Sequence, residues 1–297
     1  MIDPHADMTD PVFYIVDVFA EGAYAGNQLA VLPEGQHFSG AEMQQIARAF
    51  NFAETTFICG GSAEQGYDVR IFTPDRELPF AGHPTLGTAW IIREKLGGPE
   101  TELVLNLGVG PIPVSFAADG VAWMRQNSPQ FIGQVEQAQV AELLGLEPAA
   151  FDAEFPIEIV STGIPFVLVP LKDQAALRSI VVNNNGWRHF NDEGVLAFAL
   201  PGYAAEQQLS ARMFAGPLGV TEDPATGSAN GCLAAWLCQH QYFGAGQIDI
   251  CVGQGYEIGR PSQLYLSAES TDGDIEVRVG GRVQAVAEGR WQVPRQQ

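Results

Sequence analysis

Two short stretches of this 297-residue chain place the same chemistry at two distant points. Ala81-Gly82-His83-Pro84-Thr85-Leu86-Gly87 and Asp223-Pro224-Ala225-Thr226-Gly227-Ser228-Ala229-Asn230-Gly231 each lead from a strand-like segment through a glycine turn into an apolar helix carrying a tryptophan, Trp90 or Trp236. A helix N-terminus has unpaired backbone N–H groups and a partial positive charge, and together these bind a carboxylate or another anion. Gly82 and Gly227 sit where a side chain would block a ligand's approach. Pro84 suits the first turn, because its missing N–H had no partner there anyway. His83 lies where the helix dipole favours the neutral ring. Such a ring caps the helix, hydrogen-bonds a substrate amine or hydroxyl, or shuttles a proton. Asp223 is either an Asp-Pro turn former or a ligand-facing carboxylate. Ser228 offers a hydroxyl and its own N–H, or serves as a plain helix-start serine.

One further acid belongs with these. In Phe52-Ala53-Glu54-Thr55-Thr56-Phe57, strand alternation sets Glu54 on one face with Thr56 and Ile58. A glutamate at a strand start is usually a solvated end. Turned inward, the same carboxyl is pushed by burial towards neutrality and becomes both acceptor and donor of a proton.

The elements that must position these groups follow from turn signals and apolar spacing. Strand-like segments fall at 13–18, 29–32, 55–58, 67–72, 103–107, 113–116, 158–160, 166–169, 248–252, 264–266 and 275–279. Ser39-Gly40-Ala41-Glu42 reads as a capping box opening a helix to about Phe50. The helices from Pro84 to about Lys95 and from Ser228 to about Gln241 lack a polar face and should be buried, tryptophans included. Shorter helices are expected at 137–144 and 175–179. Many short strands around two buried helices make an α+β pattern without regular βαβ alternation. The turn repeats after about 142 residues, which implies two similar domains related by a pseudo-two-fold, with both helix N-termini facing one point between them.

Composition closes off several classes. The chain is 46% hydrophobic and 17% charged, so it can bury a large core. Lys plus Arg number 15 against 35 Asp plus Glu, a formal net charge of −20. A field of that sign repels nucleic acid and anionic membrane surfaces. An anionic substrate must therefore be held locally, by the helix ends. No apolar run approaches a membrane span, and the start lacks a signal-peptide pattern. Cys59, Cys232, Cys238 and Cys251 are too few for a disulfide scaffold and show no zinc spacing, so reduced thiols in a cytoplasmic protein are expected. No metal site, dinucleotide fingerprint or P-loop is present, which points to a reaction without a cofactor.

Ala81-Gly82-His83-Pro84-Thr85 and Glu222-Asp223-Pro224-Ala225-Thr226-Gly227-Ser228-Ala229 resemble signatures of the PhzF (phenazine biosynthesis-like) family. Gly26-Asn27-Gln28-Leu29-Ala30-Val31, Phe52-Ala53-Glu54-Thr55-Thr56-Phe57 and Glu257-Ile258-Gly259-Arg260-Pro261-Ser262 match three more of its motifs. The resemblance runs from about Tyr14 to Gly289; Gln28 departs from it, since the family usually has proline there.

The resemblance implies a diaminopimelate epimerase-like fold: two similar domains, each a barrel-like, mostly antiparallel sheet around a central helix. The last strand returns to the first domain, giving 1–126 plus 283–297 and 127–282. Epimerases of this fold use two cysteines, one just before each glycine turn. Here those places hold Ala81 and Thr226, neither of which carries a proton at a useful pKa. That leaves the family's proton transfer through a single glutamate, matched by Glu54. The resemblance also implies that Asp223 holds the substrate's amino group, that Gly82, Gly227 and Ser228 bind substrate, and that His83 assists. It implies a homodimer and a small carboxylate substrate, and the repeat implies a cleft between the domains that closes to exclude water. Isomerisation of trans-2,3-dihydro-3-hydroxyanthranilate is the named family activity; an amino-acid racemase and a non-catalytic small-molecule binder of the same fold are the alternatives.

Overall fold

The computed structural model describes residues 10–216 and 220–292. Five α-helices occur among them: α1 (Gly40–Phe50), α2 (Gly82–Leu96), α3 (Gln137–Leu144), α4 (Gln174–Arg178) and α5 (Gly227–Gln239). The capping box is formed, with the Glu42 amide donating to Ser39 Oγ and the Ser39 amide to Glu42 Oε2 at 2.8 Å. Helix α2 ends where Gly97 takes the left-handed conformation, φ 71°.

The strands form one continuous chain of pairings, and its pattern repeats. From the centre outward, the first half runs Ala122–Arg125, Gly110–Phe116, Glu102–Leu107, Gly66–Phe72, Glu54–Ser62, Asn27–Leu32, Val12–Val18 and Val283–Arg290. The second runs Asp274–Gly281, Ser262–Thr271, Gln247–Gln254, Leu209–Ala215, Gly194–Ala199, Pro165–Pro170, Glu158–Ser161 and Gln130–Gln134. In both halves the successive pairings are antiparallel twice, then parallel, antiparallel, parallel, and antiparallel twice again. A short extra strand sits at the same place in each, Glu77–Leu78 on Gly66–Phe72 and Val220–Asp223 on Leu209–Ala215. The halves join through Ala122–Arg125 and Asp274–Gly281. This is the mixed α+β architecture of two similar, pseudo-two-fold-related halves that the repeated turn implies.

Each half wraps one of the apolar helices. Helix α2 packs on the strands Val12–Val18, Asn27–Leu32 and Glu102–Leu107, and α5 on Pro165–Pro170, Ser262–Thr271 and Asp274–Gly281. Residues Gly227–Cys238 of α5 are all buried, so it has no solvent face. Trp236 is fully buried, whereas Trp90 is only partly so and packs at the margin of the same core. Among the described residues, no helix is long and apolar enough to cross a membrane.

Several strands carry no alternation that a sequence reading could use. Gly194–Ala199 and Leu209–Ala215 are buried on both faces, while Gln130–Gln134 and most of Val283–Arg290 are exposed on both.

Candidate active site

Helices α2 and α5 point their N-termini at each other across the junction of the halves. A Cβ on Gly82 would stand 2.8 Å from the Ser228 amide nitrogen and 3.0 Å from Gly227 Cα. A Cβ on Gly227 would meet Gly82 Cα at 3.4 Å, with Met124 and Phe19 closer still. Glycine is needed at Gly82 because backbone lies against it, whereas at Gly227 the atoms in the way are the side-chain ends of Met124 and Phe19. The first turns of both helices converge here, and Ser228 is buried between them.

Glu54 opens the strand Glu54–Ser62, where the parallel pairing with Asn27–Leu32 aligns it with Leu29. Its Oε2 lies 3.3 Å from His83 Nε2 on the first turn of α2. Both atoms are enclosed, and neither has a hydrogen-bond partner among the described residues. The side chains retain 15% and 5% exposure, Glu54 through its other atoms. Burial, with the charge of Asp223 adding to it, pushes Glu54 up to about 8. Burial pushes His83 down to about 3, against the opposing effect of a hydrogen bond to the Gln28 backbone. That bond favours the charged ring, so the ring donates to the Gln28 carbonyl. Because Nε2 has no partner, the donor is Nδ1, and Nε2 keeps a free lone pair. The ring is neutral as expected from sequence, but burial rather than the helix dipole is the principal cause. Since Gln28 contributes only its carbonyl to this bond, glutamine in place of proline leaves it intact.

Asp223 ends the strand Val220–Asp223 and is pushed up to about 6 by burial. Hydrogen bonds from Thr226, Asn27 and the Ala225 amide act the other way. The Thr226 hydroxyl donates to Oδ2, and Asn27 Nδ2 donates to Oδ1 at 2.9 Å from the opposite half. Gln254 closes the turn from behind, donating to the Asp223 carbonyl at 2.8 Å and to Thr226 Oγ1 at 3.2 Å.

The structure therefore gathers Glu54, His83, Asp223, Gly82, Gly227 and Ser228 at one junction. Ala81 and Thr226 stand at the N-caps of α2 and α5, and none of the four free cysteines occupies either cap. Sequence reasoning treated Thr226 only as a missing cysteine; it is a hydrogen-bond donor to Asp223. It gave no part to Asn27, although the residue lies in a quoted motif, nor to Gln254, which no local signal marks.

The family profile described as phenazine biosynthesis-like protein matches residues 16–289. The trans-2,3-dihydro-3-hydroxyanthranilate isomerase of Pseudomonas aeruginosa is 37% identical over 286 residues, covering 94% of this chain and 98% of that protein. Its namesake from Pseudomonas chlororaphis is 36% identical over 282 residues, covering 91% and 95%. Among solved structures, the Bacillus anthracis phenazine biosynthesis protein of the PhzF family superposes with a TM-score of 0.88 at 25% identity, covering 96% of this chain and 100% of that one. A hydroxyproline epimerase from Agrobacterium vitis shares the fold, with a TM-score of 0.61 at 10% identity and coverage of 94% and 90%. Fold and relatives together define the class: this is an isomerase with a diaminopimelate epimerase-like fold. More narrowly, the chain belongs to the phenazine biosynthesis-like, or PhzF, family.

Proposed function

We propose that this isomerase moves a proton from one ring carbon of a small carboxylate to another, with Glu54 taking and returning it and no cofactor involved. The supporting observation is the Glu54–His83 pair: an enclosed carboxyl oxygen without a hydrogen bond, 3.3 Å from a neutral imidazole and pushed up to about 8. A group so placed is basic enough to accept a proton and acidic enough to return it. Ionised Glu54 removes a proton from one carbon, and the electron pair left behind shifts through the adjacent double bond. The protonated Glu54 then delivers the proton to the carbon at the far end of the shifted bond. Nothing is oxidised or reduced, and the net change is a moved proton and a moved double bond.

The backbone amides at Gly82, Gly227 and Ser228 hold the substrate carboxylate in this reading, and Asp223 takes the amino group. His83 accepts through Nε2, either from protonated Glu54 or from a substrate amine or hydroxyl. The halves 1–126 plus 283–297 and 127–282 part to admit the substrate and close to exclude water. The substrate named for the relatives of 36–37% identity, trans-2,3-dihydro-3-hydroxyanthranilate, is the first choice here too. A homodimer rests on the family resemblance, and a cytoplasmic location on that and four unpaired cysteines. Two-cysteine racemisation has no thiols at Ala81 and Thr226 to work with.

Incubation of dihydrohydroxyanthranilate with the protein in D₂O, followed by NMR and mass spectrometry, tests this reading. Conversion should occur, seen as a double bond moved along the ring, and should vanish in Glu54→Gln while ligand affinity remains. Undiminished conversion by Glu54→Gln would remove Glu54 from the mechanism. Ligand binding without conversion by the unaltered protein would favour the small-molecule binder.

A further inference from the structure

Two motifs of the sequence, Gly26-Asn27-Gln28-Leu29-Ala30-Val31 and Glu257-Ile258-Gly259-Arg260-Pro261-Ser262, have no part in the reaction as proposed. In the fold they are in contact with each other, and the contact leads to Asp223. We propose that Asn27 is a positioning residue that holds Asp223 ionised and correctly turned, and that Arg260 keeps Asn27 in place to do so. This rests on the reading of Asp223 as a substrate-binding group, but its test below does not need substrate.

Arg260, from the second half, reaches into the first. Its Nε donates to the Gly26 carbonyl at 3.0 Å, and its Nη2 donates to the Ala25 carbonyl at 2.9 Å and to Asp17 Oδ1 at 2.7 Å. The Gly26 amide donates back to the Pro261 carbonyl at 3.2 Å. Gly26 has φ +69°, and a Cβ there would run into the Val18 carbonyl oxygen, so the backbone at this point accepts only glycine. The next residue, Asn27, is buried and crosses the other way: its Nδ2 donates to Asp223 Oδ1 at 2.9 Å and to the Ala225 carbonyl at 3.0 Å. The residue after that, Gln28, accepts a hydrogen bond from the His83 ring on its backbone carbonyl. Three consecutive residues thus tie Arg260, Asp223 and His83 to one strand end.

Among the described residues Asp223 has no cation to pair with. Glu54 faces it from the strand Glu54–Ser62 and is itself held protonated by burial and by the Asp223 charge, while His83 beside Glu54 on α2 is neutral, so neither supplies a positive charge. The preceding residue, Glu222, is engaged by Arg212, and the Asp17 and Arg260 charges answer each other. Neutral donors do what remains: Asn27 on one oxygen and Thr226 on the other favour the carboxylate and fix its rotation. The Asn27 bond spans the two halves, so this support exists only when the halves are together.

The test is a ¹³C NMR titration of the Asp223 carboxyl in the full-length protein, assigned with Asp223→Asn. Asn27→Leu keeps the shape of asparagine, removes the donor and admits no extra water. Its Asp223 midpoint should rise by about one pH unit, which corresponds to about 1.4 kcal/mol. Arg260→Lys keeps the charge but loses the forked grip, and its midpoint should shift in the same direction by less. An unmoved midpoint in Asn27→Leu, with native circular dichroism, overturns the role of Asn27; an unmoved midpoint in Arg260→Lys alone overturns that of Arg260. Should Asn27→Leu fail to fold, Asn27→Ala, which also removes the donor to Asp223 Oδ1, is read in the same way. A shifted midpoint without turnover of any carboxylate would count against the proposed reaction and for Asn27. Turnover with an unmoved midpoint would count the opposite way.

Discussion

Glu54 Oε2 and His83 Nε2 face each other at 3.3 Å with no hydrogen bond between them or to any other described residue. With His83 donating through its other nitrogen to Gln28, Nε2 presents a lone pair. An ionised Glu54 presents a second one. Two acceptors this close are mutually unfavourable until a proton sits on the carboxyl, which agrees in direction with a Glu54 pushed up to about 8. The arrangement stores no ion pair. It holds a carboxyl whose proton is easily lost and readily regained.

The pH dependence of kcat/KM follows directly. Proton removal from the substrate needs ionised Glu54, so activity should climb through about pH 8, with roughly a tenfold gain between pH 7 and the plateau. His83, held near 3, contributes no limb in this range. A pH–rate profile rising near 4.5 instead would mean that Glu54 is not the base.

Stability should carry the same signature with the sign reversed. Between its ordinary value of 4.5 and about 8, Glu54 keeps its proton in the folded protein while the unfolded chain has lost it. Folding stability therefore falls as pH rises across that window, by at most about 1.4 kcal/mol per unit. Glu54→Gln has no proton to lose, so its denaturant midpoint should pull ahead of the unaltered protein's between pH 5 and 8. His83 acts the other way, since below 6.5 the unfolded ring binds a proton that the buried ring refuses. That loss is common to both proteins and cancels in the comparison. A gap between the two midpoints that stays constant with pH would contradict the account.

Much of this site was legible in the sequence because its parts are local. A glycine turn with a proline close by and an apolar run mark α2 and α5 wherever the chain goes, Pro84 lying inside the first turn of α2 and Pro224 just ahead of α5, and the duplicated turn announces that there are two. The supports of Asp223 were not legible. Asn27 is 196 residues away from it, and nothing about an Asn within a strand-like motif says which carboxylate it will meet. Gln254 is a strand residue like many others until the turn at Asp223 is laid across it. The strands Gly194–Ala199 and Val283–Arg290 escaped for a different reason: alternation reports a strand with one wet face, and these have none or two.

The meeting of the two helix ends can be probed at a single atom. Gly82→Ala places a methyl 2.8 Å from the Ser228 amide nitrogen and 3.0 Å from the Gly227 carbonyl carbon, all of it backbone. Neither neighbour can rotate away, so the helix ends must separate. A loss of about 1–3 kcal/mol and a marked fall in turnover are expected from the denaturant midpoint and the assay. Gly133→Ala is the control, since nothing lies within 4 Å of its added methyl, and it should stay within about 0.5 kcal/mol. Equal behaviour of the two variants would refute the close approach.

The strand that delivers Asp223 is held by a buried ion pair one residue earlier. Arg212 Nε and Nη2 donate to the two oxygens of Glu222 at 2.9 and 2.8 Å, and its Nη1 donates to the carbonyls of Leu177 and Ile180, both at 3.2 Å. Each side chain of the pair is only 9% exposed. Glu222→Ala would leave the guanidinium charge buried, with Glu257 next at 4.0 Å and already accepting from Tyr203. Urea denaturation should show a loss of about 3–5 kcal/mol, with activity falling as the Val220–Asp223 strand loosens. Replacing both partners together, Arg212→Leu with Glu222→Leu, removes the stranded charge and should recover most of the stability. Recovery of stability without activity would show that the pair serves the placement of Asp223 more than the stability of the fold. A single substitution costing less than about 1 kcal/mol would instead place this pair among those that contribute little.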